Sequence, residues 1–429
     1  MNKADTNNCI YTVANTEELK QKVLKWLSRF NTFCFLDNHF YQNAPHNYDW
    51  IAAAGVKDFV QASSGNALAR LQHFIDEKPR WLFGHLGYDL KNEIEQLHSS
   101  HCSLIQFPDL YFFEPEVLIM FQNGQMQIQT DDASAVYDAV SHQPAIISSR
   151  SNAVQIQQQL RHDEYIRIIE KLKQHILRGD CYEINFCQEF FAEQVSIHPL
   201  TVYQNLSALS PNPFSAFYRV NQDYLLCASP ERFLKKENKK ILSQPIKGTL
   251  KRTGSALPKE KEQLYQSQKD RSENVMVVDL VRNDLSRVCK NGSVKVEELF
   301  GIYSFPQVHQ MISTISGELT EKVSFSEIIR GCFPMGSMTG APKKKVMELI
   351  EEYETTRRGI FSGAVGYIKP NGDFDLNVVI RSILYNQVNQ YLSFQTGSGI
   401  TFYSNAEKEW EECLVKAEAM LRVLTKAEN

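Results

Sequence analysis

The sequence predicts an α+β fold, and three observations carry that prediction. Between Asp163 and Arg178, apolar residues fall at Tyr165, Ile166, Ile169, Leu172, Ile176 and Leu177, a helical period that stops at Gly179. The segments Ile360 to Ile368, Leu376 to Tyr385 and Tyr391 to Phe402 are rich in β-branched and aromatic residues, with turn signals between them, and read as consecutive strands. From Ser404-Asn-Ala-Glu407, a capping box, the chain runs helically to Lys426.

Composition fits a packed globular protein: 43% hydrophobic and 22% charged residues leave none of the bias that marks disorder or collagen. With 429 residues, either one large core or two closely packed halves is expected. A net charge of -4 gives no general attraction to nucleic acid or to an anionic membrane, so any basic site is local. The nine cysteines contain no C-x-x-C pair and read as reduced thiols, which points to the cytoplasm. Met1 to Leu19 lacks the apolar run of a secretory signal, and no segment approaches the roughly 20 apolar residues of a membrane span. The expected protein is neither exported nor inserted.

The polar stretch His142 to Gln159, rich in Ser and Gln, reads as the internal linker, dividing an N-terminal region, 1–145, from a second region, 160–425. The first contains short β-type runs at Phe33 to Leu36 and Val117 to Phe121, with the glycine-punctuated Trp81 to Asp89 between them. The chemistry lies in the second.

On the last helix, Trp410, Cys413, Ala417, Met420, Leu421 and Leu424 share one apolar face, and Glu409, Glu412 and Lys416 run along its border. Asp270 to Asp284 is apolar around much of its circumference from Val275 onward, as a buried helix is, with Glu273 at its entrance. Asp270 and Glu273 repeat the i, i+3 spacing of Glu409 and Glu412, so two facing helices present oxygen ligands suited to a hard cation, magnesium first. An acidic pair at a helix start also arises as a helix-dipole effect, and both readings stand.

In Gln244-Pro-Ile-Lys-Gly-Thr249, Lys247 precedes a glycine that leaves room for close approach of a substrate, a setting for a nucleophile. Glu231, in Ser229-Pro-Glu-Arg-Phe233, lies sixteen residues earlier, and the strand-like Lys239 to Ser243 between them returns the chain toward it. Taken alone, each is equally a surface charge. The glycine-rich Phe333 to Lys343 leads into the helical Val346 to Tyr353, with Pro342 near its start, and forms either an anion-binding N-terminus or a structural turn. It lacks the spacing of a nucleotide P-loop. In the expected strand Leu376 to Tyr385, Arg381 shares the odd-numbered face with Asn377 and Val379, and its planar guanidinium suits bidentate capture of a carboxylate. His309 is a proton relay or a structural histidine.

Gly179-Asp-Cys-Tyr-Glu-Ile-Asn185, Ser229 to Phe233, Pro245 to Thr249, Asp279 to Asp284, Gly336 to Lys343 and Gly397-Ser-Gly-Ile400, in this order, resemble the chorismate-binding enzymes. The resemblance covers Glu164 to Leu424, with a weaker likeness before it. It implies a single large domain with two orthogonally packed antiparallel β-sheets surrounded by helices, in which the linker is a surface loop. By motif position it implies that Glu273 and Glu412 hold magnesium, with Glu409 and Asp270 beside them. Gly248, Thr249, Thr339, Tyr367, Arg381, Gly397, Ser398, Gly399 and Lys416 would contact chorismate.

The resemblance also bears on the reaction. Anthranilate synthases typically have P-I-A-G-T where this chain has Pro245-Ile-Lys-Gly-Thr249, so Lys247 favours the branch that aminates chorismate at C4. In that branch Lys247 attacks C2, Glu231 is the general acid, and His309 matches a histidine that assists proton transfer. Isochorismate and salicylate synthases usually place a water-activating lysine where this chain has Glu183, which disfavours hydroxylation at C2. Glu183 also departs from the glutamine common in aminating relatives, and Gln310 stands where a second histidine or a leucine often follows. No cysteine lies in a G-x-C-x-G setting, so ammonia is expected from a separate glutamine amidotransferase subunit. Anthranilate synthesis is the leading alternative, and a noncatalytic chorismate-binding subunit a distant one.

Overall fold

The computed structural model describes residues 8–41, 46–144, 153–252, 257–305 and 308–425. Its strands form two antiparallel sheets, one of twelve strands and one of ten. The larger runs from Asn8–Thr12 at one edge through Thr32–Asp37, Phe214–Val220, Asp223–Ser229, Ser382–Asn386, Tyr391–Ile400 and Glu183–Ala192 toward the other. The smaller includes Ile246–Lys251, Val308–Glu318, Lys240–Gln244, Arg232–Glu237, Phe374–Asn377, Ala364–Ile368 and Leu82–Leu86 in that order.

Period-2 alternation builds two cores from the larger sheet. In Thr32–Asp37, Cys34 joins the core between the sheets, while Phe33 and Phe35 turn to the opposite face. There they meet the helices Thr16–Leu27, Pro199–Leu209 and Ala406–Thr425, which contribute Val23, Leu206 and Ala417. Between the sheets, Leu225 and Ala216 pack with Phe83, Phe112 and Leu234. Each such buried large side chain is worth about 1.5–3 kcal/mol of transfer free energy, the main term opposing chain entropy.

Thr32–Asp37 pairs with Phe214–Val220, and Leu82–Leu86 pairs with Ala364–Ile368, so residues 1–145 and 160–425 build the same two sheets. Of the linker His142 to Gln159, residues 145–152 lie outside the described residues. No helix among the described residues is long and apolar enough to cross a membrane.

Three helices matter for the site. Gln268–Ser286 starts where the Ser267 hydroxyl accepts the Asp270 N–H at 3.3 Å, and it buries Val277, Val278, Val281 and Leu285. Ala406–Thr425 is capped one residue later than expected: Asn405 accepts the Lys408 N–H at 3.1 Å, while Ser404 accepts that of Thr401. Lys343–Tyr353 follows Pro342 as expected, but the Lys343 ammonium is taken by buried Asp284 at 2.7 Å.

The strand expected over Leu376 to Tyr385 is two strands in different sheets, Phe374–Asn377 in the smaller and Ser382–Asn386 in the larger. The chain changes sheet across Val378 to Arg381, and Arg381 takes a left-handed backbone, φ 52°. A bulky residue held there carries local strain of the kind found at functional sites.

Candidate active site

Two of the chain's passages between the sheets lie side by side, and the site forms where they meet. Asp223–Ser229 belongs to the larger sheet and Arg232–Glu237 to the smaller, so Pro230 and Glu231 make one crossing; Val378 to Arg381 make the other. Backbone hydrogen bonds stitch them together, Val378 N–H to Glu231 O at 3.0 Å and Ala228 N–H to Arg381 O at 3.1 Å. Both functional side chains open onto one cavity of about 950 Å³.

Lys247 reaches this cavity by a bulge. The strand Ile246–Lys251 pairs Ile246 with Ile312 and Thr249 with Gln310, so one residue is extra, and Gly248 takes φ 95°. A Cβ at Gly248 would lie 3.0 Å from that of Asp270, on a backbone conformation that other residues rarely adopt. The Lys247 ammonium pairs with Glu183, the first residue of Glu183–Ala192, at 2.6 Å. Gly399 leaves the space for this pair: a Cβ there would sit 2.6 Å from Lys247 Nζ and 2.8 Å from Glu183 Oε1. Burial pulls the lysine's pKa down, but the Glu183, Glu273 and Glu412 carboxylates together outweigh it and hold it above the usual lysine range.

Glu231 is shifted the other way for its class. Burial pushes its carboxyl up to about 7, against the Ser337 hydroxyl, which donates to it at 2.6 Å, and the Lys247 and Lys416 ammonium groups. It is therefore substantially protonated near neutral pH, as a general acid must be. Arg381 is drawn down to about 10 by burial, with Glu412 opposing, and remains charged. Lys416 donates to the Gly397 carbonyl at 2.8 Å and pairs with Glu412 at 2.8 Å.

The acidic residues converge beside them. Asp270, Glu273 and Glu412 line the cavity, and Glu409 lies almost fully buried next to them. Burial raises Glu412, but Lys416, Lys269 and Lys247 overcome it and bring the carboxyl to about 2. Glu273 is pushed up to about 7 by burial, against Lys247 and Lys269. Asp270 is also raised by burial. No group of three or more acidic, histidine or cysteine side chains among the described residues is gathered tightly enough to hold a metal. Lys269 instead stands in the cluster, 3.1 Å from Glu409, 3.7 Å from Glu412 and 3.8 Å from Glu273. Glu273 Oε1 and Glu409 Oε2 are nonetheless buried without a hydrogen-bond partner, and orphaned carboxylate oxygens suit a hard divalent cation.

Of the residues singled out in the sequence, Glu231, Lys247, Gly248, Thr249, Arg381, Gly397, Gly399 and Lys416 share this cavity with Asp270, Glu273 and Glu412. Glu409 and Glu183 do not line it, and neither do four others. His309 is fully buried between Ser304 Oγ at 2.9 Å and Glu260 Oε2 at 3.2 Å, and strand alternation puts its neighbour Gln310 in the cavity instead. Tyr367 packs in the core between the sheets, its ring 5.7 Å from Trp81, and Phe361 lines the cavity. Ser398 is buried between Gly397 and Gly399, which do line it. Thr339 is fully buried with its hydroxyl on the Met335 carbonyl at 3.1 Å, leaving Ser337 and Met338 as the lining residues of that turn. Lys269, Ser337 and Phe361 were not singled out by sequence. Lys269 carried a signal, its i, i+4 spacing to Glu273, and Ser337 lies within the motif Gly336 to Lys343.

Residues 35–422 match the chorismate binding enzyme family. Aminodeoxychorismate synthase component 1 of Salmonella typhimurium is 35% identical over 80% of this chain and 76% of its own length. Its counterpart in Bacillus subtilis is 33% identical over 81% and 77%. The crystal structure of anthranilate synthase component I from Streptococcus pneumoniae superposes with a TM-score of 0.78 at 24% identity, covering 89% of this chain and 94% of that one, and shares the fold. The chain thus belongs to the family of chorismate-binding enzymes.

Proposed function

We propose that the chain is an aminodeoxychorismate synthase component 1, which converts chorismate and ammonia to 4-amino-4-deoxychorismate. The observation that carries this reading is that Lys247 and Glu231 line one cavity, an amine and an acid whose carboxyl burial pushes up to about 7. The names of the Salmonella and Bacillus relatives support it.

In this reading Arg381 captures one substrate carboxylate, and Thr249 and the bare backbone at Gly397 and Gly399 admit the ring. Lys247 Nζ gives a proton to Glu183 across their 2.6 Å contact and attacks C2. Both ring double bonds shift, C1=C2 to C1=C6 and C5=C6 to C4=C5, the C4–O bond breaks, and the Glu231 proton leaves with the hydroxyl as water. Ammonia then attacks C4, both double bonds shift back, and the C2–Nζ bond breaks with its electron pair returning to Lys247. Glu273 and Glu412, with Glu409 and Asp270 beside them, would hold magnesium, which when bound would supply positive charge for the ring carboxylate. Gln310, not His309, lines the cavity.

Ammonia comes from a partner glutamine amidotransferase, and free ammonium at high concentration substitutes for it. All nine cysteines are free thiols, which suits work in the cytoplasm. The test is mass spectrometry and chromatography of the product formed from chorismate, Mg2+ and excess ammonium. The expected product is 4-amino-4-deoxychorismate; anthranilate overturns the C4 assignment, and binding without turnover supports a noncatalytic subunit.

A further inference from the structure

Lys269 has no part in the chemistry just described, yet it occupies the centre of the acidic cluster. It sits in the first turn of Gln268–Ser286, and its ammonium reaches Glu409 at 3.1 Å, Glu412 at 3.7 Å and Glu273 at 3.8 Å. Two helices therefore aim three carboxylates at one side-chain cation. Burying carboxylates together is costly unless a positive charge lies among them. Of the other nearby ammonium groups, Lys416 also pairs with Glu412, at 2.8 Å, and Lys247 is taken by Glu183, so Glu273 and Glu409 rely on Lys269.

The compensation by Lys269 is incomplete. Glu273 Oε1 and Glu409 Oε2 have no hydrogen-bond partner although both are buried. The contacts to Glu273 and Glu412 are long for an ion pair, and the lysine side chain is 44% exposed, with a path to solvent. This is a monovalent cation placed loosely where oxygens remain to be satisfied.

We propose that Lys269 is the built-in counter-ion of the divalent-cation site, and that the ammonium and the metal ion exclude one another. The ammonium keeps Glu273, Glu409 and Glu412 together in the metal-free protein. A divalent ion carries twice the charge and takes oxygen ligands directly, so it displaces the lysine toward solvent. Affinity for the metal is then weaker than the carboxylates alone would give, because part of the binding free energy goes into breaking the Lys269 contacts. This rests on the reading of Glu273, Glu409 and Glu412 as the metal site.

Calorimetric titration of the whole protein with Mn2+, without chorismate, tests it. Lys269→Met is expected to bind Mn2+ about tenfold more tightly than wild type or better, and Lys269→Arg, which keeps a cation in place, to bind as weakly as wild type. Thermal unfolding gives a second readout: metal-free Lys269→Met melts below wild type and recovers when Mn2+ is added. Should Lys269→Met fold poorly, Lys269→Gln serves in both measurements. Mn2+ binding by the neutral variants that is no tighter than wild type overturns the proposal. If no form of the protein binds Mn2+, the metal-site reading falls with it, while the C4 amination reading is judged separately by its product.

Discussion

Lys247 and Lys269 are both held by carboxylates beside the same cavity, and they are held differently. Lys247 is deeply buried and committed to one partner, Glu183, at 2.6 Å, with Gly399 leaving space for the pair. Lys269 is partly exposed and shared among three carboxylates at 3.1 to 3.8 Å. A tight, single-partner contact fixes an atom that must arrive at a defined ring carbon. A loose, shared one neutralises charge and can be exchanged. The two arrangements assign the first lysine to reaction and the second to counter-charge, and four substitutions test the reacting side of that contrast.

The largest effect is expected from Lys247→Ala, which removes the attacking amine. Amination measured with saturating ammonium should fall by about a thousandfold or more, while chorismate binding followed by fluorescence or calorimetry persists. Unchanged turnover would mean that ammonia attacks directly. Glu231→Gln comes next: loss of the acid should slow amination by about 10²–10³-fold in kcat with little change in KM, because proton donation occurs only in the transition state.

Glu183→Gln should slow the reaction, because it removes the group that takes the Lys247 proton, and should also move its pH dependence. The Glu183 carboxylate is the strongest of the charges that raise the Lys247 pKa against burial. The attacking form is the neutral amine, so removing that carboxylate lowers the pKa, and the acid limb of the kcat profile moves to lower pH by about one unit. A limb that stays in place would show that Lys247 does not limit the acid side. The smallest expected effect is that of Ser337→Ala. The Ser337 hydroxyl pulls the Glu231 pKa down from where burial puts it, so its loss lets the pKa rise. Glu231 must be protonated to act, and the basic limb should therefore move upward by a fraction of a unit.

How much of this was readable in the sequence depends on whether the signal is local. The helices Gln268–Ser286 and Ala406–Thr425 follow their apolar periods, and the border stripe of Glu409, Glu412 and Lys416 does adjoin the core. The strands Ala364–Ile368 and Tyr391–Ile400 also lie where β-branched and aromatic content put them. The sheet change at Val378 to Arg381 was not readable, because an apolar run looks alike whether it continues in one sheet or moves to another. The same limit explains His309 and Tyr367. Motif position names a neighbourhood, but strand parity decides which neighbour faces the cavity, and it selects Gln310 over His309. The contacts of Lys269 with Glu409 and Glu412 join residues 140 or more positions apart, and only folding brings them together.

The most direct test of the central claim is to mix the protein with chorismate and Mg2+ in the absence of ammonia, quench, digest and map the peptides by mass. The account predicts a chorismate-derived adduct, one water lighter than chorismate itself, on Lys247, which disappears when ammonium is added as 4-amino-4-deoxychorismate is released. Ammonium-dependent turnover in a sample whose Lys247 never carries that adduct would contradict it.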